Sequence, residues 1–169
     1  MKLAVDAYYF DENRARVVGV LFREWRDPEP AKIIATHLDS VQDYEPGSFY
    51  KRELPCILKL LEQVNPDEID AIVVDGYVYL DENGKKGLGA YLYEGLNRKI
   101  PVIGVAKKPF HGNAAALGLR RGTSMNPLYV TAAGIEPGAA FEHINSMDGE
   151  HRMPTLLKLL DRETRTVRP

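Results

Sequence analysis

Four carboxylates in this 169-residue sequence stand where apolar patterns are interrupted or end. Asp6 follows Lys2-Leu3-Ala4-Val5. Glu53 lies four residues after Phe49 and four before Ile57, in the middle of an apolar stripe. Asp75 ends the run Ala71-Ile72-Val73-Val74, and Asp161 stands four residues after Leu157. One ammonium, Lys107, ends a second run, Val102-Ile103-Gly104-Val105-Ala106. A charge at the end of a buried strand is costly unless it pairs or binds a metal. Oxygen-only clusters suit hard cations such as Mg²⁺ or Mn²⁺, held by a few carboxylates, waters and substrate phosphate. Such ions activate water and stabilise a leaving oxygen in phosphodiester hydrolysis, sometimes as a pair roughly 4 Å apart. A blander reading stands beside this one. With 24 acidic residues, some fall beside apolar runs by chance, and an acid at a helix start can snorkel to the surface.

Other chemistries find less support. Four scattered His and one Cys show no zinc-ligand spacing. There is no GxxxxGK[ST], and Gly87-Leu88-Gly89 does not directly follow a strand.

The elements that must position these groups are legible in outline. Residues 69–107 read as a βαβ crossover: two short β-branched runs separated by a helix-like segment, both strands parallel and buried on both faces. In open α/β sheets the ligand crevice lies beyond the carboxyl ends of the strands, which here carry Asp75 and Lys107. Before this unit, a strand from Lys2, a second over 14–26 and a third over 32–38 are joined by polar turns and predict an antiparallel meander. A helix is expected over 48–64. Beyond Lys107, residues 109–126 show no clear periodicity. A short strand at 127–131 and helices at 135–146 and 154–163 complete the chain. The fold class expected is α/β, with a mixed sheet flanked by helices.

Bulk properties add limits. At 169 residues, 44% apolar and 27% charged, one domain over 1–169 with a sizeable core is expected. No run approaches the ~18 residues of a membrane span. The single Cys56 excludes an internal disulfide and fits a cytoplasmic setting, and a monomer is expected. Net charge is −2, so any nucleic-acid partner must meet basic residues gathered locally.

Five segments carry a family resemblance. Tyr44-Glu45-Pro46-Gly47-Ser48-Phe49-Tyr50-Lys51-Arg52-Glu53 resembles the YxPGxLxxRE segment of the endonuclease V family. Val74-Asp75-Gly76 and the segment from Pro101 to Lys107 are similar to its VDG and PTIGVAK. Asn126-Pro127-Leu128-Tyr129-Val130 is similar to NPLYV, and Met153-Pro154-Thr155 through Asp161 to PEPTRxAD. The match runs from about Asp6 to Asp161, in the family's order and spacing.

The resemblance implies an RNase H-like fold and Mg²⁺-dependent (alternatively Mn²⁺-dependent) cleavage of DNA or RNA near deaminated purines, chiefly inosine, in repair or processing. Carried over residue by residue, Asp6 and Asp75 would be metal ligands on adjacent strands. Glu53 would complete the metal shell or orient the attacking water, and Asp161 would be the fourth acid. Lys107 would hold a phosphate or transition-state charge. Tyr44, Glu45, Pro46 and Gly47 match the family's wedge, which fills the space left by a base turned out of the stack, and Gly76 would adjoin the strand. The chain departs from the pattern in three places. Tyr77 to Asn83 replaces the family's loop with its His-Pro-Arg and puts Asp81 and Glu82 there. Glu45 stands where the family prefers an apolar wedge residue, and the chain starts close to its first strand. A relative that binds nucleic acid but has lost useful catalysis is the alternative.

Overall fold

The computed structural model describes residues 1–11, 13–41, 50–110, 113 and 115–166. Three antiparallel strands open it: β1 (Lys2–Tyr9), β2 (Ala15–Phe22) and β3 (Lys32–Leu38). Helix α1 (Tyr50–Leu61) leads to β4 (Ala71–Asp75), which pairs parallel to β1. Helix α2 (Leu88–Gly95) crosses to β5 (Val102–Ala106), parallel to β4. Two further strands, β6 (Leu117–Leu119) and β7 (Leu128–Ala133), precede helices α3 (Pro137–Ser146) and α4 (Thr155–Thr164). The sheet order is β3-β2-β1-β4-β5-β7-β6.

The meander and the parallel crossover are as expected, and the far edge adds to them. β7 returns antiparallel to β5, and β6 antiparallel to β7. The expected helix over 48–64 is described from Tyr50 and ends at Leu61, and the second strand stops at Phe22, short of 26.

Alternation along the strands splits the core into two layers. Leu3, Val5, Ile72, Val74 and Val102 pack under α1 and α2, against Cys56, Ile57, Leu60 and Leu92. Ala4, Val73, Ile103 and Val105 face the other way, onto Ile144 of α3 and Leu156, Leu157 and Leu160 of α4. This parity aims the acids. Ala4 pairs with Val73 across β1 and β4, so Asp6 and Asp75, each two residues further on, continue that row toward α4. Lys107 stands two residues beyond Val105, in line with the same face. Among the described residues no helix is long and apolar enough to cross a membrane.

Candidate active site

Asp6, Glu53, Asp75, Lys107 and Asp161 line one open groove at the carboxyl ends of β1 and β4. The two aspartates come from the sheet, Asp161 from α4 on one face, and Glu53 from α1 on the other. Asp161 follows directly on the buried Leu160, so the apolar stripe that seats α4 delivers the acid to the rim. Glu53 is 7% exposed, which removes the snorkelling alternative for this residue.

Burial and like charge together disfavour ionisation here. Burial first, then the Asp75 charge, raise Asp6 to about 7, although its carboxylate accepts the Ala7 N–H at 2.8 Å and Lys107 opposes the rise. Glu53 is pushed well above the usual carboxylate range by burial, then by Asp6 and Asp75. Asp75 is raised by burial and by Asp161, while Lys107, 3.7 Å from its Oδ2, pulls it down. Below the groove the wall turns apolar at Val105, Leu157 and Leu160. Donors of this kind fit a hard divalent cation, because oxygen ligands and an excess of negative charge are what such an ion requires. Among the described residues no three acid, His or Cys side chains already stand grouped as a coordination shell, and Asp75 is turned toward Lys107.

The chain makes sharp moves around Asp75. Gly76 has φ +136°, a value that favours glycine, and its N–H donates to the Val105 carbonyl at 3.0 Å. The outgoing backbone then folds over β5, where the Val78 N–H donates to the Thr131 hydroxyl oxygen at 2.8 Å. A side chain at Gly104 would come within 2.5 Å of the Gly76 carbonyl oxygen, so only glycine lets this crossing close.

The loop after Asp75 is a small hairpin. Asp81 accepts the Asn83 and Lys85 N–H groups at 2.9 and 3.0 Å, holding its own turn. Tyr79 bridges to Lys86. The expected wedge, Tyr44, Glu45, Pro46 and Gly47, lies outside the described residues. Sequence reading missed Arg152, whose guanidinium donates to the Lys107 carbonyl and, at 2.9 Å, to the Pro127 carbonyl, fixing where β5 ends. It also missed Arg121, buried and donating to the Met147 and His151 carbonyls at 2.6 and 2.7 Å.

Comparison with known proteins points one way. The profile of the family described as Endonuclease V matches residues 3–147. The endonuclease V of Azotobacter vinelandii is 36% identical over 86 residues, covering 51% of this chain and 37% of the relative. That of Desulfurococcus amylolyticus is 29% identical over 117 residues, covering 69% and 51%. The chain thus spans about half or less of the length of these curated relatives. The crystal structure of Ciona intestinalis endonuclease V, in complex with a 24mer DNA containing an inosine followed by a ribo-adenosine, superposes with a TM-score of 0.74 at 19% identity. That match covers 96% of this chain and 83% of the other. The likeness is one of fold, which is RNase H-like. With the profile covering most of its length and all seven strands in the fold, the chain belongs to the endonuclease V family.

Proposed function

We propose that this protein is a metal-dependent endonuclease that hydrolyses one phosphodiester of a nucleic-acid strand near a deaminated purine, inosine foremost. The observation that carries the reading is the meeting of four acids and one lysine in a single groove, three of the acids with ionisation disfavoured by burial and by neighbouring carboxylates. Family membership supports a nuclease, and the Ciona relative bound to inosine-containing DNA supports the substrate class.

Asp6, Asp75, Glu53 and Asp161 would hold Mg²⁺, or Mn²⁺ in its place. When bound, such an ion supplies Lewis-acid charge and an acidified water at a phosphodiester. The chain's own groups divide the remaining work. Lys107, in contact with Asp75, is a compact positive charge able to hold a phosphate oxygen and to take up charge developing there. Glu53, held among apolar neighbours, is suited to orient a water and accept its proton, since a raised pKa brings a carboxylate nearer the operating pH. The apolar wall under the groove keeps these interactions strong by limiting solvent.

A nicking assay with Mg²⁺ and with Mn²⁺, on single-stranded and duplex DNA and on RNA, each with and without inosine, tests the reading. Metal-dependent cuts near inosine are expected. A second reading rests on the Tyr77–Asn83 hairpin, which carries no histidine: a protein that binds inosine-containing strands without cutting them. Binding with no nicking under either metal would select it.

A further inference from the structure

The groove does not stop at the acids. Two residues beyond Asp6 on β1, and therefore on the same face, Tyr8 lines the groove with 39% of its surface exposed. The Arg165 guanidinium lies over its ring, 5.8 Å from the centroid, and Phe10 meets it edge to face at 5.6 Å. Across the sheet Tyr8 pairs with Arg16, and Arg16 with His37 on the edge strand. Arg16 Nη1 lies 3.5 Å from His37 Nε2, while its Nε donates to the Glu163 carbonyl at 2.9 Å, which fixes the guanidinium beside the end of α4. Acids lie close by. Asp161 sits 3.4 Å from Arg165, and Asp11 pairs with Arg14 at 2.8 Å. Arg16 forms no ion pair among the described residues, so this row keeps positive charge next to a groove full of carboxylates.

A half-exposed aromatic ring, flanked by guanidiniums and running out of a groove, matches one class of partner. Bases out of the duplex stack on aromatic faces whatever their identity, and arginines track the phosphates between them. A base paired within a duplex hides its face. We propose that the row Tyr8–Arg16–His37, with Arg165 above it, is a track for an unpaired stretch of the nucleic-acid strand. Tyr8 stacks one base, and Arg16 and Arg165 take the neighbouring phosphates. This deepens the nuclease reading and rests on it, because it makes a strand that is single beside the cut the preferred substrate.

The test uses fluorescence anisotropy of the whole protein in chelator. The probes are a dye-labelled single-stranded inosine oligonucleotide of about 20 nucleotides and its duplex, titrated from low to high salt. Tyr8→Ala is expected to weaken single-strand binding by roughly five- to a hundredfold at every salt concentration, the range of one lost base stack. Tyr8→Trp, which keeps a stacking face, should stay within about twofold of the parent, and duplex binding should not move with either variant. Arg16→Gln should reduce the salt slope for the single strand by about one. Single-strand affinity unchanged in Tyr8→Ala, or equal losses on single strand and duplex, overturns the track. A parallel nicking assay of the parent separates the two readings. If the parent nicks but Tyr8→Ala binds normally, the track alone fails. If the parent binds single strands through Tyr8 yet cuts nothing, the nuclease reading fails and the track stands.

Discussion

Strands β1 and β4 lie side by side along their length, yet their two ends treat charge in opposite ways. At the amino end, the Met1 ammonium meets Asp70 at 2.9 Å and donates to the Glu68 carbonyl, and Lys2 approaches the same carboxylate at 3.5 Å. The hydrogen bond from the chain terminus holds Asp70 below the usual carboxylate range. At the carboxyl end, burial raises Asp6, Glu53 and Asp75, and neighbouring acids add to it. Asp75 and Asp161 act on Asp6, Asp6 and Asp75 on Glu53, and Asp161 on Asp75, with Lys107 as partial relief for the two sheet aspartates. One end satisfies its charges and the other leaves them frustrated. Removing an acid should therefore cost stability at the first end and return it at the second, and function belongs with the frustration.

The largest effect expected is from Asp6→Asn or Asp75→Asn. A hard cation needs the charge as well as the oxygen, so either change should abolish Mg²⁺ binding in calorimetric titration and lower nicking by roughly a thousandfold, the scale of several kcal/mol of charge stabilisation. Full Mg²⁺ affinity in either variant would break the contrast at its root.

Glu53→Gln sharpens it. The amide keeps the shape and removes a buried like charge, so in chelator the variant should gain on the order of 1 kcal/mol while nicking is lost. Lower stability in chelator would make Glu53 a structural partner and end its catalytic assignment. Acidity probes the same frustration without mutation. Because Asp6 moves from 3.8 to about 7 on folding, the folded state binds more protons than the unfolded state between these values. The metal-free protein should therefore lose melting temperature as pH rises through that window. Excess Mg²⁺, which favours the ionised form, should flatten the trend.

Arg152→Lys is expected to act at a distance. It keeps the charge but loses the rigid, planar guanidinium whose Nη2 donates to both the Lys107 and Pro127 carbonyls, so kcat should fall ten- to a hundredfold, a range set by small misplacement of Lys107. Mg²⁺ affinity should hold. A matching loss of metal binding would show that Arg152 merely supports the fold. The smallest effect belongs to the satisfied end. Asp70 is 61% exposed, so Asp70→Asn should lower stability by about 0.5 kcal/mol or less and leave nicking unchanged.

What the sequence made legible follows from where physical pattern is strong. Runs such as Ala71–Val74 and Val102–Ala106 could only be buried strands, and the acid or lysine ending each was placed with them. Glu53 was found because it breaks a helical stripe. The far edge was not legible: Leu117–Leu119 is three residues long, too short for alternation to register. Arg121 and Arg152 escaped for another reason. Their partners are backbone carbonyls, which every residue carries and no motif announces. Tyr8 escaped because one exposed aromatic on a strand is ordinary until the groove beneath it is known.

The crossing at Gly104 bears on how this site could change over generations. Gly76, Val78 and Thr131 clamp the backbone on the near side of the hairpin, and the Gly87 N–H closes it onto the Val78 carbonyl at 2.8 Å. Along the chain, whatever is inserted, deleted or recharged between Tyr79 and Lys86 therefore reaches Asp75 through that clamp. The hairpin is thereby held apart, along the backbone, from the carboxylate it follows. Substrate preference written in that hairpin could be redrafted many times over, while the chemistry inherited with Asp75 stays where it was.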